Sequence, residues 1–229
     1  MDKKKKYILI ASAIGVVFAI AVTIACVSLF QGFSATKYAE AVLEQTMEGK
    51  VSALVSMTKG LTEDAAKKQY ETTVSDFVTN VVAKGLTLDD EQKKACVKEC
   101  KEIFEDMKYN VSNEKKISDT EYEVTVTYKK SDVMTKLKAL AEAETARINA
   151  KVENGEYRGT LDAINQQMQA EYATNLASML KEANETMEFG DEESIVLSVK
   201  KGENGLYVID GTQIGQFLLK IMGLGENQD

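Results

Sequence analysis

The side chains of this chain that could carry chemistry are acids and thiols: it has 36 Asp and Glu, three Cys and no His. Two carboxylates can hydrolyse a glycoside without any His, one as the acid and the other as base or nucleophile. The acid pairs Asp89-Asp90 and Glu192-Glu193, and the strand acids Glu121 and Glu123, are where such chemistry could sit. The pairs fall in polar runs at element ends, where solvation or helix capping accounts for them, and Glu121 and Glu123 would need a polar cleft beside them. The missing His removes the commonest general base, the commonest metal ligand and the usual activator of a nucleophilic Ser or Cys. Two thiols beyond residue 34 also fall short of a tetrahedral zinc site. The expectation is a protein that is not an enzyme and that uses no cofactor and no metal.

Cys96 and Cys100 stand four residues apart in a helical pattern, so both point to one face, and Ile103, Phe104 and Met107 continue that face. Buried free thiols are expected ahead of a redox pair, because Cys at i and i+4 of a regular helix are poorly oriented for a disulfide. The third thiol, Cys26, closes Thr23-Ile24-Ala25-Cys26, which looks like a bacterial lipobox whose cysteine is acylated after signal removal. Lipoboxes usually carry Leu three residues before the cysteine, where this chain has Thr23.

Cys26 belongs to a longer feature. Lys3, Lys4, Lys5 and Lys6 precede residues 7–30, twenty-four residues without a charge. About 20 apolar residues suffice for a helix to cross a bilayer, and the basic cluster stays in the cytoplasm by the positive-inside rule. A cleaved signal has an apolar core of only about 7 to 15 residues, so the length favours an uncleaved single-pass anchor. Acylation at Cys26 and cleavage near Gly32-Phe33-Ser34 are the alternatives. Ala11, Gly15, Ala19 and Thr23 form a stripe of small residues, along which two membrane helices could pair as a homodimer or with another envelope protein. Residues 1–34 are thus read as cytoplasmic lysines and membrane helix, and residues 35–229 as the exported domain.

Removing the +3 carried by residues 1–34 (four lysines against Asp2) from the chain's −8 leaves −11 on that domain. A chain this acidic, without a basic stripe, repels phosphate backbones, so nucleic acid is excluded as a partner. The remaining 195 residues are enough for one sizeable core.

The elements that must position these residues read as α+β. Ala39, Val42, Leu43 and Thr46 share one helix face before Gly49, and Val51, Leu54 and Val55 make a short turn. Thr62 caps a helix bearing Tyr70, Val74, Phe77 and Val81, and Gly85 follows its end. Thr87-Leu88-Asp89-Asp90 resembles a capping box for a third helix ending near Met107. The period then changes to two: Tyr109, Val111 and Ile117 lie in a polar strand. Residues 113–119 read as a turn, and Tyr122, Val124, Val126 and Tyr128 alternate with polar residues in a second strand. Residues 131–187 form a helical-hairpin insertion: Ser131 caps its first helix, Asn154-Gly155 turns the chain, and a stripe from Leu161 to Met187 runs along the second. Ile195, Leu197 and Val199, a turn at residues 202–205, and Leu206 to Ile209 give a second hairpin, and Ile214, Leu218 and Ile221 a last helix. The fold class is therefore α+β: a transmembrane helix, then helices packed on an antiparallel sheet of about four strands.

With the lysine-rich leader, the opening helix Lys37-Tyr38-Ala39-Glu40-Ala41-Val42 and the closing strand Gly205-Leu206-Tyr207-Val208-Ile209-Asp210, the chain resembles membrane-attached, lipoprotein-like extracytoplasmic proteins of Firmicutes. The closing strand is similar to that of cystatin-like folds in the nuclear-transport-factor-two-like superfamily, where helices pack on a curved sheet, although Tyr207 stands where Trp is usual. The resemblance implies a fold and carries over no active-site residue. The implied function is a non-catalytic binding or interaction domain at the cell envelope. Its one candidate ligand site is the concave sheet face through Tyr122, Val124, Val126 and Tyr128, open or filled by helices, for an unknown ligand. A scaffold subunit of an envelope-spanning secretion or conjugation machine, and an acylated ligand binder, are the alternative readings.

Overall fold

The computed structural model describes residues 26–27, 33–202 and 205–224. Helix α1 (Ala35–Glu48) starts where the Ser34 hydroxyl accepts the Lys37 N–H at 3.3 Å, and stops at Gly49, whose φ of 67° only glycine adopts freely. Short α2 (Ser52–Met57) leads to α3 (Glu63–Phe77), capped by Thr62, which runs on into one π-helical turn, Val78–Val82. Helix α4 (Asp90–Glu105) opens on a complete capping box set two residues later than the spacing predicts. Asp89 is the cap, and Gln92, long enough to reach back, accepts its N–H at 3.0 Å while its own N–H meets Asp89 Oδ1 at 2.8 Å.

Strands β2 (Tyr109–Ser118) and β3 (Glu121–Ser131) pair as a hairpin, so only Asp119 and Thr120 make the turn. The polar residues 113–118 are strand and not loop. They lie on a sheet edge with both faces wet, where β3 supplies the pairing and no apolar alternation is needed. Two irregularities interrupt this register, one between Ser112 and Glu114 around Asn113 at φ 45°, the other between Lys116 and Ser118 at Ile117. Helices α5 (Val133–Glu153) and α6 (Leu161–Glu185) form the expected insertion, turning at Asn154 and Gly155, and α6 lies along α4. Ser131 is not the cap of α5: it ends β3 with its hydroxyl buried and unpartnered, and Asp132 stands in the capping position. Strand β4 (Phe189–Lys201) then pairs along β3, followed by β5 (Leu206–Ile209) and α7 (Gly211–Ile221).

The sheet is antiparallel in the order β5-β4-β3-β2, with a two-residue strand β1 (Cys26–Val27) on the outer edge of β5. Its inner face carries Val124, Val126, Tyr128, Leu197, Val199, Tyr207 and Ile209, and α1 and α7 lie across it. Tyr70, Val74 and Phe77 of α3 belong to the same buried core but away from the middle of the sheet. They pack on α1 and α4, with the Phe77 and Phe104 rings edge to face at 5.2 Å. The outer face, through Thr125, Thr127 and Val196, faces water.

The expected membrane helix, its stripe Ala11, Gly15, Ala19 and Thr23, and the lysine cluster lie outside the described residues. No helix among the described residues is long and apolar enough to cross a membrane. Of residues 7–30 the structure describes Cys26–Val27 alone, and their backbone is extended and paired with Tyr207 and Leu206. A helix reaching Phe30 does not fit that pairing.

Candidate functional site

The sequence points to the inner sheet face, and the structure fills it. Val124 and Val126 are wholly buried and Tyr128 is 2% exposed, its ring edge-on to Phe217 of α7 at 5.8 Å, its hydroxyl donating to Glu193 at 2.8 Å. Phe217 also meets the Tyr109 ring at 5.9 Å, so one aromatic side chain of α7 closes the middle of the sheet. These three positions have no surface to offer a ligand, because α1 and α7 present Tyr38, Leu43, Ile214 and Phe217 to the same apolar face.

Tyr122 is the exception. It sits at the near end of the sheet, where Phe33 and Ser34 enter the domain, and is half-buried against Phe33 and Tyr207. Phe33 stacks on Tyr207 at 3.9 Å with the rings 7° from parallel, and Tyr122 stands edge-on to both, at 5.7 Å and 5.8 Å. Burial and the neighbouring Tyr122 push the Tyr207 hydroxyl's pKa up, which keeps it neutral. Glu114 ties the incoming chain to β2: its Oε2 accepts the Ser34 hydroxyl at 3.0 Å and the Thr36 N–H at 2.9 Å. Burial raises the pKa of that carboxyl, but these hydrogen bonds outweigh it and hold the group below the usual range. Around this cluster stand Lys115 and Lys116 of β2, Lys200 and Lys201 of β4, and Ile117, 44% exposed at its irregular position.

At the far end, where β3 hands over to α5 and α6 returns to β4, lies an open cleft of about 430 Å³. Lys130, Asp132, Glu188, Asp191 and Glu193 contribute its charges, and Gly223, just past α7, closes one side. Gly223 is obligatory there, since with φ 74° a Cβ would lie 2.6 Å from the Ser131 carbonyl oxygen. Part of the acidity is spent within the fold: Asp132 Oδ1 accepts the Glu188 N–H at 2.7 Å and its Oδ2 lies 3.5 Å from Lys136. The remaining carboxylates favour a cationic group. The sequence gives no sign of this cleft, because residues 130–135, 188–193 and 223 meet only through the sheet and the insertion.

Cys96 and Cys100 are buried free thiols, as their spacing predicts. Burial pushes the Cys96 thiol up to about 11 and that of Cys100 well above its ordinary value, so neither forms thiolate near neutrality. Asp89 and Asp90 begin α4, and Glu121 is held below the usual carboxylate range by the Ser198 hydroxyl and Lys200. Glu192 and Glu193 lie in β4 opposite Lys129 and Tyr128. No three His, Cys, Asp or Glu among the described residues are grouped so as to hold a metal ion.

The described part of the chain is thus an α+β domain of seven α-helices and an antiparallel sheet. No protein-family model matches the sequence, and no curated protein matches it. Its fold is similar to the solved structure of YcdA, a candidate lipoprotein of Bacillus subtilis, with a TM-score of 0.54 and 13% sequence identity. The likeness covers 82% of this chain, which spans 56% of the length of the other.

Proposed function

We propose that the chain is a membrane-attached extracytoplasmic protein without catalytic activity, whose domain offers its far-end cleft to a cationic group of a partner or ligand. The observation that carries the attachment is the order of the leader: a lysine cluster, twenty-four uncharged residues, and then Phe33, already stacked into the domain. Acylation at Cys26 is a second reading with support of its own. The extended pairing of Cys26–Val27 suits a chain whose membrane segment ends before Cys26, and the neighbour is described as a candidate lipoprotein. The cystatin-like reading is supported by α1 packing on β2, β3 and β4 of an antiparallel sheet.

Membrane fractionation with intact mass tests the proposal. A full-length mass in the membrane fraction means an anchor, and loss of residues 1–25 with an added acyl mass means a lipoprotein. A soluble chain beginning near Ser34 would refute attachment altogether.

A further inference from the structure

The near end of the sheet differs from the rest of the domain in three ways. First, Ile117, which with Leu161 and Val196 is one of the exposed large apolar side chains among the described residues, stands at a break in the β2–β3 register, and such irregularities re-aim a side chain out of the pleat. Secondly, Lys115, Lys116, Lys200 and Lys201 converge there by register: Lys115 faces Glu123, Lys116 faces Tyr122, Lys200 faces Glu121 and Lys201 faces Tyr207. They balance the local acids, Asp119 at 2.6 Å from Lys116 and Glu121 at 3.3 Å from Lys200 among them, whereas at the far end Asp132, Glu188, Asp191, Glu192 and Glu193 outnumber Lys108, Lys129, Lys130 and Lys136. Thirdly, Cys26 pairs by its backbone with Tyr207, so the chain arrives at this end both when its membrane segment ends before Cys26 and when Cys26 itself is the attachment point.

We infer that this end docks on the headgroup surface of the membrane that holds the chain, with Ile117 entering the lipid and the flanking lysines against anionic phosphate. The inference rests on the attachment proposed above. Each of its parts has a bilayer counterpart: aromatic side chains suit the interface, an exposed Ile gains by leaving water, and lysines beside an anionic leaflet are attracted to it. The acidic far end is repelled by the same leaflet, so charge and tether hold the sheet upright with the cleft turned away from the membrane. The domain is then mounted in one orientation, where a bare tether would let it tumble.

The chain contains no Trp, so one introduced indole reports alone. Ile117→Trp in the full chain, reconstituted in vesicles of phosphatidylcholine and phosphatidylglycerol in equal parts, is expected to show blue-shifted emission quenched by lipids brominated on the upper acyl chain. Thr135→Trp, on exposed α5 surface beside the far cleft, is expected to stay unquenched. Lys115→Gln with Lys116→Gln in the Ile117→Trp background should weaken docking about 25-fold, at about fivefold for each basic residue near an anionic leaflet. A chain that does not float with the vesicles refutes attachment and the docking with it. A chain that floats while residue 117 is unquenched, or is quenched no more than residue 135, overturns the docking alone. A blue shift without quenching means that the tip packs on another copy of the chain, which overturns it equally.

Discussion

Gly49→Ala should destabilise the domain through two separable effects. The residue ends α1 in the left-handed region, φ 67°, which costs a non-glycine residue about 1 kcal/mol. A Cβ there would also lie 2.6 Å from Tyr70 Cε1 and 2.7 Å from Cδ1, well inside contact. The Tyr70 ring has little room to yield: it is 6% exposed, belongs to the core beside α1 and α4, and has the Lys101 ammonium 5.4 Å from its centroid. Overpacking of this kind costs about 1–3 kcal/mol, giving roughly 2–4 kcal/mol in all. Gly60→Ala isolates the backbone part, since Gly60 has φ 84° with nothing within 4 Å of a built Cβ, and should cost about 1 kcal/mol. Urea unfolding of the full chain in mild detergent, followed by far-ultraviolet circular dichroism, measures both. Adding Tyr70→Leu to Gly49→Ala should recover most of the difference. If Gly49→Ala and Gly60→Ala agree within about 0.5 kcal/mol, the packing of α1 against Tyr70 is wrong.

Two further outcomes follow from the charges and thiols. Glu171 on α6 accepts from Lys151 of α5 at 2.7 Å and from Tyr157 and Arg147, and these partners hold its carboxyl down at about 2. A depressed carboxylate stabilises the fold above its unfolded value and loses that stability as pH falls through its folded one, so the loss runs between about pH 4.5 and about 2. Glu171→Gln should therefore unfold more readily at pH 7 and show a smaller further loss across that window, in urea titrations at each pH. In a Cys26→Ser chain, a thiol reagent at pH 8 should label nothing until denaturant is added and then two thiols, because Cys96 and Cys100 are buried and protonated. Rapid labelling of the native chain would contradict the packing of α4.

Where one face of an element is dry, the sequence announced it. The stripes of α3 and α6 and the alternation of β3 each pair a buried face with a wet one, although Leu161 at the start of the α6 stripe is exposed, and their limits fall within a few residues of the spacing. Residues 113–118 escaped because an edge strand wet on both sides has no period to read, and its order comes from β3. Ser131 reads as a cap by residue type, but the register with Phe189 draws it into the strand. The filling of the inner face follows from its apolar residues, but that α1 and α7 fill it, and not α3, depends on connections no local pattern encodes. Ile117 is legible as apolar; its exposure depends on a register break. The far cleft joins three distant segments and is invisible to spacing altogether.

The insertion also bears on the order in which the domain folds. Strands β3 and β4 share the longest pairing of the sheet, yet 57 residues separate Ser131 from Phe189. Closing so long a loop in one step would slow the search for the register. Helices α5 and α6 make contacts local in sequence, and their turn at Gly155 and the Glu171 partners on α5 can form without the sheet. Once they pair, Asp132 and Glu188 come together, as in the native structure, where the Asp132 N–H donates to the Glu188 carbonyl at 3.1 Å. The excursion then behaves as a prefabricated turn, and a pairing that is remote along the chain nucleates as a hairpin would.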